Sequence, residues 1–300
     1  MGFELHISLS ILLPFFLLVF MLINTLRRSK TKNSNSKLPP GPRKLPLIGS
    51  IHHLGPLPHR SLARLASQYG SLMHMQLGEL CCIVVSSPEM AKEVMNTHDI
   101  IFANRPYVLA ADVITYGSKG MTFSPQGTYL TQMRKICTME LLAQTHVQSF
   151  RSIREQELSI FVKEISLSEG SPINISEKIS SLAYGLLSRI AFGKKSKDQQ
   201  AYIEHMKDVA ETVTGFSLAD LYPSIGLLQV LTGIRTRVEK IHRGMDRILE
   251  NIVRDHREKT LDTKAVGEEK GDLVDVLLRL QKNGDLQHPL SDSVVKATIL

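Results

Sequence analysis

The 300-residue sequence contains no tryptophan, has only 6% aromatic residues and carries just three cysteines, Cys81, Cys82 and Cys137. Three thiols, two of them adjacent, exclude a disulfide-stapled scaffold. Neighbours on a strand point to opposite faces, so Cys81 and Cys82 read as reduced thiols, and the soluble bulk is expected in a reducing compartment. Basic charge is scarce where a nucleic-acid binder would need it. The formal net charge is +7, yet residues 1–50 hold seven Lys and Arg against the single acid Glu4, and the remainder is nearly neutral. A phosphate-binding domain spreads its excess over a folded face, so no nucleic-acid partner is expected. A Gly-rich phosphate loop, an HExxH and a paired CxxC are all missing. The histidines around the Gly55-Pro56-Leu57-Pro58 bend, His52, His53 and His59, lack metal-ligand spacing and read as surface or loop residues. No catalytic residue and no metal site is therefore assigned. The 43% hydrophobic content supplies a sizeable core and excludes both a disordered chain and a polytopic membrane protein.

What is present is ordered along the chain. Leu5–Ile23 is apolar and carries no acid, Lys or Arg. At ~1.5 Å per residue it reaches about 28 Å, close to the hydrocarbon thickness of a bilayer. Five cations follow between Arg27 and Lys37, which places the C-terminal side in the cytosol. Residues 1–26 are thus read as a signal-anchor transmembrane helix, and the protein as single-pass with its bulk cytosolic. Residues 27–49 form a basic and proline-rich hinge. Its Leu38-Pro39-Pro40-Gly41-Pro42 and Pro46 forbid helix and favour an extended rod, or serve as a plain linker.

Residues 50–300 are mainly α with a small β-region. Pro58 leads a helix with Leu62, Leu65, Ala66 and Tyr69 on one face, stopped by Gly70. Ser71–Leu77 and Leu80–Ser86 form a hairpin around Gly78-Glu79, and Ser87-Pro88-Glu89 starts another helix. Cys81 and Cys82 in that apolar strand, and Cys137 beside Ile136 and Leu141, read as buried, inert thiols. Phe102–Ser124 reads as a long loop with one helical turn, a length often functional. Beyond it the pattern is helical. Tyr129–Leu142 has the helical period, and Arg134-Lys135 on it reads as a solvated face or an anion clamp. Val147–Ile165 carries an apolar stripe through Phe150, Ile153, Leu158, Phe161, Val162 and Ile165. Asn174 with Glu177 makes a capping box for a helix running to Gly193. Ile234–His256 puts Val238, Ile241, Met245, Ile248, Leu249 and Ile252 on one face. A charged loop follows over Thr260–Gly271, then a helix over Asp272–Gln281 and a new one capped by Ser291-Asp292.

The order of these pieces resembles the start of a microsomal cytochrome P-450. An apolar anchor and basic stop precede Leu38-Pro39-Pro40-Gly41-Pro42 and Pro46-Leu47-Ile48-Gly49. The series continues through Leu72-Met73-His74, Ser87-Pro88-Glu89-Met90-Ala91, Phe102-Ala103-Asn104-Arg105-Pro106 and Phe123-Ser124-Pro125. It runs on through Met133-Arg134-Lys135-Ile136-Cys137, Ala191-Phe192-Gly193, Asp220-Leu221-Tyr222-Pro223 and Asp272-Leu273-Val274-Asp275. It is similar to the plant A-type subfamily that oxidises specialised metabolites such as terpenoids and isoflavonoids.

The resemblance implies the N-terminal part of the cytochrome P-450 fold, preceded by one transmembrane helix, on the cytosolic face of the endoplasmic reticulum membrane. It implies a heme-thiolate monooxygenase, drawing electrons from NADPH through a reductase partner and hydroxylating or epoxidising a small lipophilic substrate. Arg134 and Arg105 would bind the heme propionates. Val108, Leu109, Val113 and Ile114, in the loop over the distal heme face, would touch substrate. The sequence departs from the family pattern in two ways. Leu130 stands where the family has a Trp one turn before Arg134, and Thr131 replaces a usual Arg, which removes a hydrogen-bond donor. The oxygen-activating Gly/Thr motif and the Gly-rich loop with the ligating Cys do not occur in the 300 residues. The domain over 50–300 is therefore expected to be incomplete, ending at the start of the central helix. The alternative is a non-catalytic, truncated, membrane-anchored helical protein or pseudogene product.

Overall fold

A computed structural model describes residues 38–193, 199–213, 217–262 and 271–300. The expected anchor over Leu5–Ile23 lies outside the described residues. Among the described residues no helix is long and apolar enough to cross a membrane. The described residues divide into two compact units, those up to Phe102 with Leu221–Ile225, and those of Ala103–Asp220 with Gly226–Leu300.

In the first unit, Pro58 presets the backbone of the first turn of α1 (Pro58–Tyr69), and Gly70, at φ 102°, ends it in a conformation open to glycine. Strands β1 (Leu72–Leu77) and β2 (Leu80–Val85) pair antiparallel from Leu72↔Val85 to Leu77↔Leu80, turning at Gly78 and Glu79. Strand alternation sends Met73, Met75 and Leu77 into the core, where they meet Leu65 of α1. Cys82 joins that core, and burial followed by the neighbouring Cys81 pushes its thiol pKa up. Cys81 falls on the opposite face. It is exposed rather than buried as expected, with Sγ 3.2 Å from Nε2 of the buried His74. The described part of the Pro-rich segment does not stand off as a rod. The Pro40 carbonyl accepts from the His74 amide at 2.9 Å and Gly49 bridges to Leu77, so the segment meets the free edge of β1 at Pro40 and Gly49, while Leu45 and Gly49 pair with each other across a turn. A Cβ at Gly41 would collide with the His74 carbonyl oxygen. Ser87 Oγ caps α2 (Pro88–Lys92) by accepting from the Met90 amide, a π-helical turn Glu93–Thr97 extends it, and α3 (Asp99–Phe102) follows.

The second unit is helical. Its elements are α4 (Leu109–Ile114), α5 (Thr128–Ile136) passing into a π-helical turn Cys137–Leu141, α6 (Gln144–Ser149), α7 (Arg151–Ser166), α8 (Ile175–Phe192) and α9 (Gln199–Val213). Then come the short α10 (Leu218–Leu221), which spans the boundary of the units, α11 (Leu228–Leu231), the long α12 (Ile234–Asp262), α13 (Leu273–Asn283) and α14 (Asp292–Ile299). The apolar stripe of α12 is buried as its spacing predicts, from Val238 through Ile241, Met245 and Leu249 to Ile252. Met133 and Cys137, Val274 and Leu277 of α13, and Val295 of α14 close the main core with it. The helix runs six residues past His256, so the expected charged loop begins later; 263–270 lie outside the described residues.

Two helix readings change. The segment expected as one helix over Val147–Ile165 breaks at Phe150, and its stripe is not core: Leu158 and Val162 are 50% and 62% exposed. The one buried residue of α7 is Glu157, whose Oε1 accepts from Arg189 Nη1 of α8 at 2.7 Å. The α7–α8 seam is thus centred on an ion pair, which apolar spacing cannot reveal. The Glu177 amide donates to Asn174 Oδ1, as expected for the N-cap. The reciprocal capping box forms instead at Asp272, read from sequence as the first helical residue, which exchanges side-chain-to-backbone bonds with Asp275.

Candidate functional site

The loop from Ala103 to Ser124 and helix α5 hold every expected site residue. Arg105 is half-buried. Its Nε donates to the Thr122 carbonyl at 3.3 Å and its Nη1 to the Ala103 carbonyl, so the side chain braces the loop that carries it. Arg134 is exposed in the last turn of α5 and makes no ion pair among the described residues. Leu130, one turn earlier on the same helix, is fully buried. Arg105 and Arg134 are not joined by any bond among the described residues.

Helix α4 is the helical turn expected inside the loop. Its amide at Leu109 donates to Asp220 Oδ1 at 2.9 Å, which fixes its N-terminus. Leu109 and Ile114 are 3% and 1% exposed, and Ile114 packs with Ala110 against Val238 and Ile241 of α12. Val108 and Val113 are half-buried at the rim of that cluster. Of the four expected substrate contacts, two are therefore spent in packing and two retain partial exposure.

Beyond α4 the chain is tied to the helices beneath it. Tyr116 donates its hydroxyl to Asp246 Oδ1 of α12 at 2.7 Å, and Lys119 Nζ donates to Ser293 Oγ of α14 at 2.9 Å. Burial and then the Asp246 bond push the Tyr116 hydroxyl pKa far up, keeping it a donor. Helix α5 is pinned at Gln132, whose amide exchanges two bonds with the backbone of His288, at 2.7 and 2.9 Å. Beside it lies a groove of about 710 Å³ lined by Thr128, Thr131, Gln132, Lys135, Met139 and Leu286.

Heme, the group implied by the resemblance, places two carboxylates and flat apolar faces against its protein. The exposed Arg134, without an ion pair among the described residues, suits a carboxylate, and the braced Arg105 makes its bonds among the described residues through Nε and Nη1, not Nη2. Leu130 offers no hydrogen. The one thiol of this unit, Cys137, is buried in the main core, where burial raises its pKa.

The family model for cytochrome P-450 matches residues 39–300. The chain belongs to the cytochrome P-450 family. It is 46% identical over 288 residues to a desmethyl-deoxy-podophyllotoxin synthase of Sinopodophyllum hexandrum, covering 95% of this chain and 56% of that protein. It is 46% identical over 294 residues to a tabersonine 6,7-epoxidase of Catharanthus roseus, covering 96% and 58%. Among solved structures, a zebra fish cytochrome P-450 with progesterone matches 82% of this chain and 55% of its own, with a TM-score of 0.64 at 19% identity, a likeness of fold. The chain thus spans little more than half the length of the relatives it matches.

Within this cytochrome P-450 fold, sequence reasoning missed several buried polar groups, Glu157, Lys296 and His256 among them. His256, 4% exposed, bonds the Ile252 carbonyl through Nδ1 at 2.7 Å and Asp272 Oδ2 through Nε2 at 2.9 Å. The available signal was its place on the α12 stripe, one turn after Ile252.

Proposed function

We propose that this chain carries the substrate-facing part of a heme-thiolate monooxygenase that hydroxylates or epoxidises a lipophilic plant metabolite, with NADPH as electron source through a reductase partner. The observation that carries this reading is near-full coverage of the chain at 46% identity by plant proteins named as a synthase and an epoxidase of specialised metabolites. Heme, when bound, supplies the oxygen chemistry. This chain's own residues do the holding: Arg134, with Arg105, neutralises the propionates, and Val108 and Val113 present apolar surface to the substrate while Leu109 and Ile114 fix α4 behind them. Residues 1–26 anchor the protein in the endoplasmic reticulum membrane and residues 27–49 hinge it there.

The thiols favour a second reading, an anchored helical protein without turnover. Cys137 and Cys82 are committed to cores and Cys81 to His74.

Two experiments test these assignments. Hemin titrated into the purified 300-residue chain and followed by its Soret band is expected to bind at least tenfold more weakly to Arg134→Leu, since a hydrogen bond to a charged group contributes about 1.5–3 kcal/mol. Reduced under CO, the same complex is expected to lack the band of thiolate-bound heme. Equal affinity in the variant would remove Arg134 from the site, and a thiolate band lost in one Cys→Ala variant would reverse the reading of the thiols. Separately, deletion of residues 1–26 is expected to release most of the protein from microsomes; unchanged partitioning would place the membrane contact elsewhere.

A further inference from the structure

We propose that Tyr116, Asp246 and Lys296 form a latch that fixes the Tyr107–Met121 loop over the substrate, making all three positioning residues for that loop; this rests on the loop being the substrate cover.

The loop makes an improbable turn. Tyr116, Gly117 and Ser118 are successive left-handed residues, at φ 57°, 83° and 55°. Only glycine is at ease there, and two L-residues persist in that region where their surroundings over-determine it. Part of the restraint is local: the Gly117 amide donates to the Asp112 carbonyl at 2.8 Å, and Ser118 Oγ to Asp112 Oδ1 at 3.1 Å. The reach to α12 runs through the Tyr116 hydroxyl, bonded to Asp246 Oδ1. That oxygen is itself held. Lys296 Nζ of α14 donates to it at 2.8 Å and also pairs with Glu250. Lys296 is 7% exposed, and its ammonium lies 5.8 Å from the centroid of the Tyr116 ring. His242 meets that ring edge-on at 4.7 Å.

A buried cation needs its carboxylates whatever the loop does. The phenol is the added part: it makes the turn a third member of the α12–α14 ion pair. Tyr116 directly follows the C-cap of α4, Thr115. Fixing Tyr116 therefore fixes the C-terminal end of the helix that carries Val113 and Ile114. Loss of the hydroxyl should free α4 and the turn together, while the helices below keep their packing.

The test uses the 300-residue chain and hydrogen exchange read by mass spectrometry. Tyr116→Phe keeps the ring and its contact with Lys296 and removes only the hydroxyl. Amides over residues 109–121 are expected to exchange about tenfold faster, with α12 and α13 unchanged. Lys296→Met should produce the same local rise, and Lys296→Arg should return it to within about twofold of the parent. Exchange that stays at the parental level in Tyr116→Phe, or rises evenly across the unit, overturns the latch. A diazirine-bearing terpene alcohol separates this outcome from the reading beneath it. Photolabelling of Val108 or Val113 in the parent, reduced in Tyr116→Phe, supports both. A local rise in exchange with no labelling of the loop in the parent keeps the latch and sinks the substrate-cover reading.

Discussion

Replacing Arg189 with Met is expected to destabilise the helical unit by about 3 kcal/mol, because it strands the carboxylate of Glu157 inside the α7–α8 seam. The pair is well enclosed, with side chains 17% and 10% exposed, and Arg189 Nη2 also bonds Gln156 Oε1 at 2.9 Å. Removing one member of such a pair costs more than the pair itself contributes, since the survivor keeps its desolvation penalty without its partner. The double variant Glu157→Leu/Arg189→Met should therefore recover to within about 1 kcal/mol of the parent. Thermal unfolding checks this: at about 2–4 °C per kcal/mol the single variant should melt roughly 6–12 °C lower. A single variant that melts within about 2 °C of the parent would show that water reaches Glu157 and that the seam is held by its apolar rim.

The second large effect is expected from Asp272→Ala, at about 2–4 kcal/mol, combining a lost helix cap with a buried imidazole left without its acceptor. Asp272 sits where three helices meet. It caps α13, it bonds His256 of α12, and a Cβ on Gly193, at the end of α8, would come within 2.6 Å of its Oδ2. The same junction sets a pH dependence. Burial alone would lower the His256 pKa, but the Asp272 bond and charge outweigh it, aided by the Ile252 carbonyl and Asp275, and the net shift is upward. Burial and the Asp272 charge raise Asp275 in turn, against the pull of His256 and Lys259. A group whose pKa is raised by folding contributes its stability in full below its unfolded value, about 6.5 for histidine, and loses it as pH climbs through the folded value. Urea denaturation between pH 6 and 9 should show stability falling toward the alkaline side, and the fall should flatten in Asp272→Ala. An equal slope in both proteins would move the titrating group elsewhere.

Local signals in the sequence carried most of the first unit and the longest helix of the second. The Gly78-Glu79 turn, the Ser87-Pro88 start and the stripe from Val238 to Ile252 each depend on residues within a few positions of one another, and all three stand in the structure. Readings failed where a distant partner decides. The apolar face of α7 looked like core until Arg189, 32 residues on, took the seam for Glu157. Cys81 looked buried because its strand is apolar, yet strand parity alone assigns Cys81 and Cys82 to opposite sides and does not say which side is covered. The helix α9 drew no reading, and neither did α11, a single turn of four residues between Gly226 and Gly233, too short for a period to show. Arg105 and Arg134 were placed by resemblance, and the bracing of Arg105 by the Thr122 carbonyl has no signature in spacing. The bond from Tyr116 to Asp246 joins residues 130 positions apart, a separation at which no periodicity speaks.

The close approach of Gly41 to the β1 backbone bears on inheritance. Every missense change at a glycine codon adds a carbon to the α position, and at residue 41 that carbon meets the His74 carbonyl oxygen whichever amino acid brings it. Gly49 shares the constraint, since a carbon added there would collide with the Gln76 carbonyl oxygen, so two codons of this segment are held by the backbone of one strand.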